Sequence, residues 1–258
     1  MVNQSFPVND LKIFTDASTK DSVSCSAYMV IQNGQLIFQD CIVFKNVTNN
    51  FGELYAIMMA LSYIYTQIAS FRANYPTYIP PYRITVLSDS LYSVQSLTVW
   101  LSSWLRQTYK IAPPVYDPTY PCPSLFKKTF NKKTKKTTID PVQNHEVILE
   151  CMKLVLATAM PIVLMHTKAH LGTNTKSMIK AIRNHLQSNK KMSNLKSFTL
   201  EDFEGMIKWN NAVDQYARGT LLQALENPNI MNIIPSPVWP MIFFPTREQI
   251  RMYLSYIQ

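Results

Sequence analysis

Glycine is scarce in this chain, with 5 in 258 residues, and charged side chains make up only 16% against 47% apolar ones. That balance excludes an intrinsically disordered chain, which has the opposite composition. Acids are the scarcer sign, with 16 Asp and Glu against 25 Lys and Arg, for a net charge of +9. The excess favours an anionic partner, nucleic acid or a membrane surface, over a neutral one. Cysteine is limited to Cys25, Cys41, Cys122 and Cys151. No two of them have the C-x-x-C spacing of a zinc clip, so free thiols in a reducing, cytoplasmic setting are expected. No charged-then-apolar leader opens the sequence and no run of 18 apolar residues occurs, so neither a secretory signal nor a membrane span is expected.

What is present is a chain long enough for one large domain with insertions. Leu11 to Thr15 is a short apolar run that ends on Asp16. Ser24–Gln32 and Gln35–Phe44 read as strands joined by Asn33-Gly34, a dipeptide suited to a two-residue hairpin turn. Helical spacing of Leu54, Ile57, Met58, Leu61, Ile64, Tyr65 and Ile68 predicts a helix over about 51–71. Arg83–Ser88 is a fourth strand ending on Asp89, followed by a helix from Ser90 to about Tyr109. Prolines and the lysines between 127 and 136 mark 111–141 as an exposed inserted loop. A helix over about 142–159, a fifth strand at Pro161–Met165, a short basic helix near 176–187 and a long helix over about 201–226 follow. The tail is rich in proline and aromatics and closes on a short helix-like stretch. Antiparallel strands first and βα units later predict an α/β fold: a mixed five-stranded sheet, three antiparallel strands then two parallel, flanked by helices.

Four acids stand out by position. Asp16 and Asp89 end strands, where sites gather in open α/β sheets. Glu53 lies in the first turn of a helix, and Asp214 lies on the last long helix. Each taken singly suits a solvated residue or a helix cap as well. Together they would repel one another and raise each other's pKa unless cations held them. Hard carboxylate oxygens suit Mg²⁺, which also takes phosphate oxygens, and two such ions stabilise the attacking and leaving oxygens of a phosphodiester.

Five segments in order carry a resemblance to type I ribonuclease H. They are Thr15-Asp16-Ala17-Ser18; Thr48-Asn49-Asn50 with Glu53-Leu54; Leu87-Ser88-Asp89-Ser90 with Tyr92; Thr167-Lys168-Ala169-His170-Leu171-Gly172; and Asn210 with Asp214 and Ala217-Arg218. The resemblance implies a ribonuclease H-like fold and an endonuclease that cuts the RNA strand of RNA–DNA hybrids, leaving 5′-phosphate and 3′-hydroxyl ends. It implies two Mg²⁺ ions, with Mn²⁺ as a substitute, on Asp16, Glu53, Asp89 and Asp214. It makes His170 a loop histidine that moves a proton or helps product leave, in keeping with an imidazole pKa near neutrality. It places Thr48 on a DNA-strand phosphate, Asn49, Asn50 and Asn210 among the substrate contacts, and Trp100 and Trp104 along the DNA-strand channel. Turn and cap chemistry is the plain alternative for Thr48 and the asparagines, and core packing for the tryptophans.

The sequence departs from the family in having no glycine between Ala17 and Met29 and in carrying two basic insertions. The domain is expected to span 1–226, with insertions at about 111–141 and 173–208, and 227–258 as a C-terminal extension. A monomer is expected, with the insertions available to a protein partner. Two other readings remain open at this stage: a non-catalytic nucleic-acid-binding module on the same fold, and another nuclease of that fold such as an integrase or junction resolvase.

Overall fold

The computed structural model describes residues 9–111, 125–131, 134–167, 200–227, 233–235 and 245–257. Strands β1 (Asn9–Lys20), β2 (Val23–Gln32) and β3 (Gln35–Lys45) form an antiparallel meander. The β2–β3 turn takes positive φ at Asn33 (50°) and Gly34 (81°), as the Asn-Gly pair predicts. The β1–β2 turn does the same at Asp21 (φ 53°) and Ser22 (φ 61°) with no glycine. Asp tolerates this backbone better than most residues, which is why a glycine-poor hairpin still closes.

Helix α1 (Asn49–Asn74) follows, then β4 (Tyr82–Ser88), parallel to β1. Helix α2 (Leu91–Gln95) runs through a π-helical turn at Ser96–Trp100 into α3 (Leu101–Ile111). After β5 (Phe126–Asn131) and β6 (Lys136–Pro141) come α4 (His145–Thr158), β7 (Ile162–His166), α5 (Leu200–Glu226), β8 (Ile233–Pro235) and α6 (Arg247–Tyr256). The main sheet has the order β7-β4-β1-β2-β3-β8. The five expected strands pair in the expected directions.

Three features differ from the sequence expectation. The single helix over 90–109 contains the π turn. The 111–141 segment is not simply a loop: β5 and β6 pair as an antiparallel hairpin. Thr129, Phe130, Thr137, Thr138 and Ile139 supply the β-branched and aromatic content for those strands, which the prolines and lysines obscure. Lys128 N donates to Gln107 Oε1 (2.7 Å) and Phe126 N to Thr108 Oγ1 (2.9 Å), fastening the hairpin to α3. Third, a sixth strand comes from the tail, with β8 parallel to the end of β3. The tail helix α6 packs on the core as well: Tyr253 is 1% exposed and its hydroxyl donates to Leu97 O at 2.8 Å.

Both faces of the sheet are covered. On one face α1 lays down Leu54, Ile57, Leu61, Ile64 and Ile68 against Ile13, Val30 and Val86, with α4 beside it. By length and composition α1 is apolar enough to cross a bilayer, but here it is the central core helix. On the other face Val213, Ala217, Leu221 and Ala224 of α5 pack on Phe14, Cys25, Met29 and Leu87. Side chains alternate along a strand. With Leu11 and Ile13 under α1 and Phe14 under α5, Asp16 falls on the α5 side. The basic helix expected near 176–187 lies outside the described residues.

Candidate active site

Parallel pairing of β1 with β4 brings the first two acids together. Thr15 is in register with Ser88, so Asp16 and Asp89 follow side by side at the strand ends. Leu87 shares the α5 face with Phe14, so Asp89 emerges on the same side as Asp16. Thr48 caps α1, its Oγ1 accepting from Phe51 N at 3.2 Å, and this fixes the helix start from which Glu53 reaches in. Asp16, Glu53 and Asp89 each offer an oxygen within 4.8 Å of the others. Asp214 comes from α5 on the same face, close enough to add to the upward push on the Asp16 pKa.

The site is electrostatically strained. Asp16 and Glu53 are 4% and 5% exposed. Burial, then the neighbouring Asp89, push the Asp16 pKa up to about 8, against a downward pull from the Ala17 N–H (2.8 Å to Oδ1). Burial, then Asp16 and Asp89, raise Glu53 well above the usual carboxylate range. Burial also raises Asp89. Glu53 Oε1 accepts a 3.4 Å hydrogen bond from Asn49 Nδ2, while Oε2 is buried with no hydrogen-bond partner. An orphaned carboxylate oxygen among acids is costly unless a cation fills the gap. An all-oxygen donor set of this kind fits a divalent metal such as Mg²⁺.

A consequence for stability follows from the sign of these shifts. A carboxyl with a folded-state pKa near 8 stays protonated in the fold and ionises when the chain unfolds above about pH 4. Its contribution is intact below about pH 4 and is lost as pH rises towards 8. In EDTA, wild type is expected to lose Tm relative to Asp16→Asn across that window, by on the order of 5–10 °C. Saturating divalent cation is expected to restore it. A gap between the two proteins that does not change with pH would refute the account.

Second contacts hold the acids in place. Thr167 N donates to Ser88 O (2.8 Å), and Thr167 Oγ1 donates to Asn210 Oδ1 (2.8 Å). That leaves the Asn210 amide to donate to the Asp89 carboxylate. Asn210 sits one turn before Asp214, so one stretch of α5 braces one acid and supplies another. The ring of His166 lies 3.0 Å from Asp89 O.

The other expected contacts are scattered differently. Thr48, Asn49 and Asn50 are exposed at the α1 start, with Asn49 facing Glu53. Trp100 and Trp104 share a helix face, their rings 5.7 Å apart, but Trp104 is a core residue at 8% exposure and Trp100 keeps only part of its surface. His170 lies outside the described residues. Sequence reasoning missed Gly52, whose Cα hydrogen faces Ala17 and Ser24 where a Cβ would lie 2.9 Å and 2.4 Å from Ala17 Cβ and Ser24 Oγ. A glycine inside an otherwise helical pattern was its signal. Thr167 opened one of the matching segments without being assigned its contact to Asn210, and Ser26 carried no signal of its own; Ser26 Oγ donates to Gly52 O at 2.9 Å.

A family model described as RNase H matches residues 8–186, more than half of the chain. The chain belongs to the RNase H family. Membership makes it a ribonuclease H, a nuclease of the hydrolase class, with an acidic cluster able to hold divalent metal. No curated protein sequence matches it. Among solved structures it is similar to RNase H1 of the halophilic archaeon Halobacterium salinarum NRC-1, at 12% identity and TM-score 0.36, covering 62% of this chain and 86% of that one. It is similar to LC9-RNase H1, a type 1 RNase H with the type 2 active-site motif, at 12% identity and TM-score 0.41, covering 79% and 88%. It is also similar to the foamy viral protease–reverse transcriptase solved with an RNA/DNA hybrid, at 14% identity and TM-score 0.39, covering 79% of this chain and 22% of that chain. These are loose likenesses, and the family assignment rests on the sequence match.

Proposed function

We propose that this ribonuclease H hydrolyses the RNA strand of RNA–DNA hybrids by a two-metal-ion mechanism, leaving 5′-phosphate and 3′-hydroxyl ends. Asp16, Glu53, Asp89 and Asp214 would hold Mg²⁺, or Mn²⁺ in its place. The carrying observation is the unpartnered Glu53 Oε2 in a cluster whose three carboxylates lie within 4.8 Å. When bound, the cations supply positive charge at the attacking and leaving oxygens of the scissile phosphate.

The chain's own residues do the positioning. Asn210 orients Asp89 through its amide, and Asn49 orients Glu53. Burial keeps water away from the acids, which strengthens every charge interaction in the pocket. Asn49 and Asn50, exposed at the α1 start beside the acids, carry amides that can read a 2′-OH, the group that separates RNA from DNA. Thr48 would meet a phosphate there, Trp100 a sugar face, and His170 would move a proton.

A labelled hybrid, duplex DNA and duplex RNA, each with and without Mg²⁺, test the proposal. Only the RNA strand of the hybrid should be cut, only with the cation, and the products should carry 5′-phosphates. An intact hybrid in Mg²⁺, or duplex DNA cut at a comparable rate, would refute it.

A further inference from the structure

The helix that follows Asp89 changes register part-way along. Between Ser96 and Trp100 it makes a π turn, and Leu101 N donates to Ser96 O, five residues back. In an α-helix that N–H would donate to Leu97 O, four residues back. Leu97 O instead accepts from the Tyr253 hydroxyl of α6 at 2.8 Å. Leu97 and Tyr253 are both 1% exposed, so water cannot stand in for that donor.

Helix α6 is anchored at both ends. A capping box of Thr246 and Gln249 fixes its start, and the Tyr109 hydroxyl donates to Pro245 O just before it. Ile257, just past its end, is buried and bridges Ile162 at the start of β7. Tyr253 therefore reaches the π turn from a frame attached to the sheet.

A π turn holds one residue more than an α turn. At 3.6 residues per turn, losing it would rotate the rest of the helix by about 100°. Leu101, Trp104 and Leu105, just after the turn, are buried in the core and resist that rotation. The misfit would fall on the open side, on Val99, which is 58% exposed, and on half-buried Trp100. The Trp100 ring has those of Tyr92 and Trp104 at 6.1 Å and 5.7 Å, so a change in the turn changes the face it can present.

We propose that Tyr253 is a positioning residue for the nucleic acid substrate: its hydroxyl holds the π turn, and through it the face that Trp100 presents to the hybrid. The acids are independent of it. Asp89 precedes the turn, while Asp16, Glu53 and Asp214 stand on β1, α1 and α5. Tyr253 thus governs binding and leaves the chemical step alone, which gives the C-terminal extension a part in substrate recognition.

This inference rests on the hybrid as substrate with Trp100 among its contacts, and its test separates the two. Tyr253→Phe keeps the buried ring and deletes only the hydroxyl. Hybrid affinity in EDTA should weaken roughly tenfold, about what one aromatic contact supplies to a nucleic-acid interface. The rate at saturating hybrid in Mg²⁺ should stay within about twofold of wild type, whereas a loss of folded protein would lower that rate and leave affinity unchanged. Trp100→Ala should weaken binding by about the same factor, and adding Tyr253→Phe to it should cost nothing further, because the two residues act as one unit. Tyr109→Phe, which cuts the other tie of α6, should bind as wild type. The wild-type protein supplies a second readout that needs no variant to fold. Coupling is reciprocal, so hybrid added in EDTA should slow amide exchange at Leu101 and in α6 together. Unchanged affinity in Tyr253→Phe or in Trp100→Ala, additive losses in the double variant, or protection at Leu101 without protection in α6 would overturn the role of Tyr253. A hybrid that binds, stays uncut in Mg²⁺ and still binds more weakly to Tyr253→Phe supports that role and counts against the proposed activity alone.

Discussion

Asp89→Asn is expected to lower hybrid cleavage by at least ~1,000-fold, while in EDTA the variant melts no lower than wild type. The two halves of that result come from one fact. Asp89 is half-buried beside Asp16 and Glu53, so its charge costs stability in the metal-free protein and is useful only when cations are present. Asn keeps the shape and can still accept the Asn210 hydrogen bond through Oδ1. It removes one of the carboxylates whose oxygens converge within 4.8 Å, and losing about 4 kcal/mol of charge stabilisation is a thousandfold in rate. Cleavage assays with Mg²⁺ and thermal melts with EDTA check both. Activity within tenfold of wild type would remove Asp89 from the site, and a large drop in Tm would mean the residue is structural.

What the residues disclosed and what they hid separate along physical lines. Asp16 and Asp89 were legible because each ends an apolar strand pattern, and parallel pairing of those strands leaves them little choice but to meet. Helix α1 was legible from its apolar spacing, and Asn33-Gly34 from the backbone angles it alone among the turns advertises. The Asp21-Ser22 turn was not, because it reaches the same angles without glycine. The β5–β6 hairpin was hidden by lysines on strands whose residues are mostly exposed, where no hydrophobic face imposes a period of two. The place of the tail was hidden for a different reason. Tyr253 and Ile257 belong to the core, but ten-residue helices and three-residue strands carry too little pattern to show which neighbour they will cover. Trp104 shows the limit of analogy: spacing put it on a helix face, and only packing showed that the face points inward.

Gly52→Ala is expected to cost about 100-fold in cleavage, although alanine is the better helix former by about 1 kcal/mol. Gly52 has no unusual φ, so backbone freedom is not what it provides. It provides clearance. An added Cβ would lie 2.4 Å from Ser24 Oγ and 2.9 Å from Ala17 Cβ. The serine hydroxyl can rotate away, at the cost of its 2.9 Å bond from Thr19 Oγ1, but the Ala17 methyl is fixed to β1 next to Asp16. The start of α1 must therefore back away from the strand, against the 2.9 Å bond from Ser26 Oγ to Gly52 O. Glu53 is the next residue, so the carboxylate moves with the helix. A shift near 1 Å is enough to lose two orders of magnitude in a site that depends on placement. Overpacking of this kind also costs about 1–3 kcal/mol of stability, which a melt will register. Compensation makes the cause testable. Ala17→Gly removes one obstructing methyl and Ser24→Ala the hydroxyl, leaving Ser24 Cβ at an ordinary 3.5 Å. The triple variant Gly52→Ala/Ala17→Gly/Ser24→Ala should regain most of the lost rate. Gly52→Ala at half the wild-type rate or better, or a folded triple variant that stays inactive, would show that contact between α1 and β1 does not set the position of Glu53.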